Sequence, residues 1–199
     1  MPDTPTELLA DLRDAGCEVA SIWDLVNAKY QYKNAIPVLI DWLENLDSRV
    51  PDVGRAKLRE GLTRALTVRA ARPAAIPVLL REFKAPPSQT DPGARWAVGN
   101  ALSVVADDSV FDELAALVRE RSYGTAPQMV VLSLGRSKNP AAGSLLVSLL
   151  DDDDVLLQAL SALGRLKPAG ARPAVEKLLD HPRAPVRKAA KQALARLPD

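Results

Sequence analysis

Apolar residues along this chain recur in short helix-period stripes broken by turn-forming residues. The clearest passage runs from Pro140 to Leu197, where one pattern is written twice. Ala142–Asp151 (AGSLLVSLLD) predicts a first helix, an acidic turn follows, and Val155–Leu166 (VLLQALSALGRL) predicts a second. Ala171–Asp180 (ARPAVEKLLD), a turn with two prolines and Val186–Leu197 (VRKAAKQALARL) repeat the arrangement. The offset is 29 residues between the first helices and 31 between the second. Self-similarity at such a period predicts a stack of helix pairs, because one small pair can bury its apolar side only against its neighbours.

The pattern extends toward the amino terminus. Ala35–Leu43 (AIPVLIDWL) recurs forty residues later as Ala75–Phe83 (AIPVLLREF). Each carries proline in the opening helical turn, where no backbone donor is lost. Second helices are predicted over Leu58–Leu66 and Ala94–Leu102, and a third pair over Ser109–Val118 and Thr125–Gly135. Asp91, Ser109 and Thr125 stand where N-caps are expected, and Ala85–Pro92 is the longest predicted loop. At the start, Thr4 is a candidate cap, with Pro5 in the first turn and Glu7 completing a capping box. Leu8, Leu9 and Leu12 form that helix's stripe and Gly16 ends it, with a second helix expected over about residues 19–28. Residues 1–33 lack the repeat pattern and hold six acids against three bases, as a polar end unit of a stack should.

Proline in the first helix and the second-helix pattern Val-Arg-x-x-Ala-x-x-Ala-Leu resemble HEAT repeats, and the short spacing is similar to the phycobilisome-lyase type of HEAT-like repeat. The likeness is strongest in the last repeat, at Val186-Arg187 and Ala193-Leu194; Pro127 and Leu156 depart from it at the arginine position. The expected fold is all-α, a right-handed α-solenoid of stacked antiparallel helix pairs. It has an N-terminal cap (1–33) and about five repeats (34–72, 73–106, 107–138, 139–167 and 168–199) in one continuous domain. The resemblance implies a non-enzymatic scaffold whose second helices line a concave, partner-binding surface, and it carries no catalytic signature.

At about 100° per residue, with the Val, Leu or Ala anchor of each second helix as position 0, positions 0, 3, 4, 7, 8 and 11 face the core. Positions 2, 5, 6 and 9 face away, and 1 and 10 lie on the edges. The outward set includes Trp96, then Gln128, Val131 and Leu132, then Leu157 and Leu160, then Lys188 and Lys191. Gly99, Gly135 and Gly164 read as small residues leaving room beside them. The middle of the face is thus expected to be apolar and its ends basic, with Arg59, Arg64 and Arg95 on the amino-terminal side. Two readings fit this pattern: a groove for a partner helix with acidic ends, or burial of the same side chains within the monomer.

Charge sharpens the picture. The net charge is only +1, yet sixteen bases fall in the five second-helix segments, opposed there by Glu60 and Asp154 alone. A basic face for an acidic protein or peptide is one reading, and structural ladders to turn aspartates such as Asp91 and Asp152 are the other. Nucleic-acid backbone binding through the same bases is the alternative function, and self-association through the apolar groove is a further expectation. Candidate chemistry is sparse. His181 is the single histidine, Asp151–Asp154 lacks the spacing of a calcium loop, and Cys17 reads as a packed residue. No phosphate-cradling glycine loop occurs, so no catalytic residue, cofactor or metal is expected. Trp23 and Trp42 read as core, and Trp96 as a contact hot spot. Met1–Glu7 lacks the features of a secretory leader, and no apolar run reaches membrane-spanning length. A soluble, cytoplasmic protein without membrane partners is the expectation.

Overall fold

The computed structural model describes residues 4–26, 28–85 and 92–198, and among these residues the chain is helical with no strand. It divides into two compact units, Met1–Ala106 and Asp107–Asp199. Asp91, expected as an N-cap, and most of the predicted loop at 85–92 lie outside the described residues.

In the amino-terminal unit the first helices are α1 (Thr6–Asp14), α3 (Ile36–Glu44) and α6 (Ile76–Lys84). The second helices are α2 (Ile22–Val26), α5 (Asp52–Ala65) and α7 (Pro92–Val105), and α4 (Leu46–Arg49) is a short link. α1 packs on α3 and α3 on α6; α2 packs on α5 and α5 on α7; α3–α5 and α6–α7 contacts join the two layers. That is a short α-solenoid. The forty-residue repeat shows directly in burial, since Leu39 and Leu79, and Leu43 and Phe83, are all withdrawn from solvent. Burying each such side chain stabilises by roughly 1.5–3 kcal/mol. Pro37 and Pro77 sit in the first turns of α3 and α6 as expected. Trp42 is core, and its indole N–H donates to Asp11 Oδ2 at 2.7 Å, fastening α3 to α1.

Local signals near the start were partly reassigned. Gly16 closes α1 at φ +78°, a left-handed conformation that favours glycine. Thr4 does not cap α1: Pro5 stands at that N-cap, and the Thr4 hydroxyl instead accepts from Ile22 N at 3.0 Å. With Asp24 accepting from Ala20 and Ser21 N, it fixes the start of α2, which is shorter than expected. Tyr32 is 8% exposed, and its hydroxyl donates to Ala65 O at 2.8 Å, near the end of α5. Burial first, then neighbouring Cys17 and Tyr30, pushes its pKa up to about 12.

In the carboxy-terminal unit the first helices are α8 (Phe111–Arg119), α10 (Ala142–Ser148) and α12 (Arg172–Glu176). The second helices are α9 (Gln128–Leu134), α11 (Leu156–Leu166) and α13 (Ala184–Leu194). α9 stacks on α11 and α11 on α13, while α8, α10 and α12 each pack on their own second helix. The expected caps differ here too. Asp107, not Ser109, caps the turn before α8 by accepting from Ser109 N, and Pro127, not Thr125, stands at the N-cap of α9. The glycines mark where helices nearly touch. A Cβ on Gly135 would lie 3.0 Å from Ala162 Cα, and one on Gly164 would lie 3.2 Å from Ala193 Cα.

Replacing Gly135 by valine should therefore destabilise the protein by roughly 1–3 kcal/mol, read from urea denaturation, because α9 and α11 must separate. Tyr32→Phe should cost about 1 kcal/mol at neutral pH through the lost hydrogen bond. Below pH 10 Tyr32 is neutral folded and unfolded, so its contribution is complete. Between pH 10 and about 12 the unfolded chain deprotonates first, and stability falls. The variant should show a shallower loss over that window in pH-dependent denaturation.

Candidate interaction face of the second helices

Offsets of 29 residues from α9 to α11 and of 31 from α11 to α13 align the second helices of the carboxy-terminal unit position by position, and the two glycine contacts repeat in that register. Position 9 of α9 (Gly135) meets position 7 of α11 (Ala162), and position 9 of α11 (Gly164) meets position 7 of α13 (Ala193). Position 5 is then Val131, Leu160 and Lys191. Val131 and Leu160 are 0% exposed, against the expectation that they point outward. A two-sided helical wheel counts only the first-helix layer as core, whereas α11 lies between α9 and α13 and buries its flanks as well. Likewise Gly135 and Gly164 are buried where helices approach, and Gly99 is buried too, so none of the three leaves room on an open face. In α13 position 5 is exposed, and there the residue is Lys191.

Of the positions expected to face outward or lie on an edge, 2, 6 and 10 stay accessible in all three helices. Position 2 holds Gln128, Leu157 and Lys188; position 6 holds Leu132, Ser161 and Gln192; position 10 holds Arg136, Arg165 and Arg196. Leu132 and Leu157 are half-buried, so the apolar stretch is smaller than expected. Gln128 is tied down, its amide donating to Asp154 O at 2.7 Å in the turn before α11. The wheel puts the position-10 arginines on an edge of the face. Their recurrence at the second-helix offsets was the signal that could have found them.

Much of the basic character serves the fold. Arg121 and Arg183 pair with Asp151 and Asp153 at 2.9 and 2.8 Å, so the acidic tract anchors its neighbouring repeats. Asp152, expected in a ladder to arginine, instead accepts from Asp154 N. Arg187 donates to His181 O and Pro182 O, and Arg172 donates to the carbonyls of Leu194, Leu197 and Pro198. By contrast Arg165, Lys188, Lys191 and Arg196 make no ion pair among the described residues.

In the amino-terminal unit, Arg59 is not part of an open face. It is 6% exposed and bridges Glu82 Oε2 at 2.6 Å and Asp47 Oδ1 at 2.5 Å. Glu82 is the repeat partner of Trp42 forty residues on, so a buried carboxylate and its arginine replace an indole there. Arg95 donates to Phe83 O and Ala85 O, closing the end of α6. Arg64 is exposed but paired with Glu60 at 2.9 Å. Burial pushes the Glu60 carboxyl up, yet hydrogen bonds from Arg64 and Lys57 outweigh it and hold the pKa below the usual value. Lys57 also lies over the half-buried Trp23 ring at 4.4 Å. Lys57, Glu60 and Arg64 line a cleft of about 430 Å³ with Ala56, Gly93 and Ala94, and Trp96, which is 37% exposed, follows two residues after Ala94.

Among the described residues no group of three or more metal-ligating side chains converges. His181 Nδ1 accepts from Arg183 N at 3.2 Å in its turn, and Cys17 is buried. No helix among the described residues is long and apolar enough to cross a membrane. No family model matches the sequence, and no curated protein does either. Among solved structures, a designed armadillo repeat protein is similar at a TM-score of 0.45 and 16% identity, over 89% of this chain and 98% of that one.

Arg59→Met alone should cost about 3–5 kcal/mol by stranding the Glu82 carboxylate in the core. The double variant Arg59→Met/Glu82→Leu should regain most of that loss in the same denaturation assay, because neither charge is then left buried.

Proposed function

We propose that this is a HEAT-like, non-enzymatic scaffold whose carboxy-terminal unit holds an acidic segment of a partner protein against the exposed positions of α9, α11 and α13. One observation carries the reading. Arg165 on α11, Lys188 and Lys191 on α13 and Arg196 just past its end stand exposed without an ion pair among the described residues, while Arg121, Arg172, Arg183 and Arg187 nearby are engaged by the fold. Unpaired cations on a fixed surface attract an oppositely charged partner and orient it. Leu132 and Leu157 add a small apolar contact beside them. With Val131 and Leu160 inside the stack, charge contributes more to this face than an apolar groove does. In the amino-terminal unit taken alone, Trp96 beside the Lys57–Glu60–Arg64 cleft is proposed as a separate anchoring point.

A fluorescent twelve-residue poly-glutamate peptide should bind the protein, and the charge reversal Lys188→Glu/Lys191→Glu should weaken it at least about tenfold. Duplex DNA of matched charge is the comparison. Tighter binding of DNA than of the peptide, with a steeper loss in salt, would replace this reading with the nucleic-acid alternative.

A further inference from the structure

We propose that the amino-terminal unit binds a nucleoside monophosphate in a cleft beside the turns that lead into α3 and α6, the base stacked on Tyr30 and the phosphate held by Lys33 and Arg69. Lys33 opens the short turn Lys33–Ala35 before α3, and Arg69 opens the turn Arg69–Ala71 before α6. Because α3 packs on α6, these two turns come to one cleft. Its volume is about 410 Å³, and its wall includes Tyr30, Gln31, Tyr32, Lys33 and Arg69. That size falls within the roughly 300–1,000 Å³ of small-molecule sites. A second cleft of about 350 Å³ shares Tyr30, Gln31, Tyr32 and Lys33 and reaches Cys17.

Charge selects the anion. Lys33 and Arg69 are exposed and make no ion pair or side-chain hydrogen bond among the described residues. Neither cleft has an acid in its wall. Two such cations match a phosphate monoester, which carries about −1.5 to −2 charges at neutral pH, better than a lone carboxylate.

The aromatic wall selects what the phosphate is attached to. Tyr30 is 55% exposed, more than any other aromatic side chain among the described residues. Its ring meets Tyr32 edge-on at 6.3 Å and 77°, and Tyr32 is itself fixed by its bond to Ala65 O. A base stacks on such a ring whatever its identity. Burial, then the neighbouring Cys17 and Asp24, pushes the Tyr30 pKa up, so its hydroxyl stays neutral and does not oppose an anion. The Asp24 carboxylate is taken up by the N–H groups of Ala20 and Ser21. Gln31 is exposed and makes no side-chain hydrogen bond among the described residues. Its amide offers a donor and an acceptor to the edge of a base, an edge that the phenyl ring of a phosphotyrosine lacks.

The test is calorimetric titration of the full chain with adenosine monophosphate, adenosine, inorganic phosphate and O-phosphotyrosine. Adenosine monophosphate should bind at least about tenfold tighter than each of the other three. Tyr30→Ala and Arg69→Gln should each weaken it at least about fivefold. Tyr30→Phe, which keeps the ring, should retain it, as should Arg119→Gln, which removes an exposed arginine on α8 outside the cleft. Equal binding of adenosine monophosphate and phosphate, or equal losses from Arg69→Gln and Arg119→Gln, reduces the site to general attraction of anions and overturns the proposal. Tighter binding of O-phosphotyrosine overturns the nucleoside assignment, and absence of binding overturns the site. The acidic-partner reading rests on other residues and is tested separately by the poly-glutamate peptide.

Discussion

At Gly135 and Gly164 a single added carbon would lie 3.0 and 3.2 Å from a Cα of the next helix. A helix held that close on its flank has a second buried side, beyond the one facing its pair partner, and α11, flanked by α9 and α13, has a third. Positions that a free amphipathic helix would turn to water become packing positions, and only a narrow strip stays open. In α11 this withdraws Leu160 and Gly164 together, leaving Leu157, Ser161 and Arg165 at the surface. In α13 the equivalent flank holds Lys191 and Ala195, both exposed. The lateral surface therefore changes from apolar to polar where the described stacking ends, as the edge of a repeat stack requires.

The same geometry sorts the cations. Arginines in turns, such as Arg121 and Arg183, reach the aspartates of a neighbouring turn, and Arg172 covers the carbonyls that close α13. These pairs are exposed and individually worth little, but they satisfy groups the fold leaves open. Arg59 is different in kind, since its partner Glu82 is equally buried and removing either would leave a charge without water. The bases on the outer strip of α11 and α13 belong to neither group. In the carboxy-terminal unit a basic strip forms because the acids fall in the turns and first helices, and α9, α11 and α13 carry none.

Much of the fold was legible in the chain. The duplicated passage at Pro140–Leu197, the recurrence of Ala35–Leu43 at Ala75–Phe83, and the prolines opening α3 and α6 predicted paired helices that the structure contains. Trp42 and Cys17 were read as packed and are buried. Local capping was less legible. Thr4 has the right chemistry for α1 yet serves Ile22 N, because a side-chain oxygen bonds whichever free amide the fold brings nearest. Among the candidate interaction residues, Lys188, Lys191 and Trp96 are exposed, Leu132 and Leu157 are half-buried, and Val131, Leu160 and Arg59 are in the core.

Periodicity by itself determined that the chain is built of helix pairs and where the repeats recur. These follow from residue order, since an apolar stripe every three or four residues can be buried in only one way locally. Tertiary structure decided which sides of each second helix meet another helix. A one-dimensional pattern shows that Leu160 is apolar and Lys191 is charged at the same repeat position. Only stacking shows the reason: α13 covers the flank of α11 that carries Leu160, and the corresponding flank of α13 faces water.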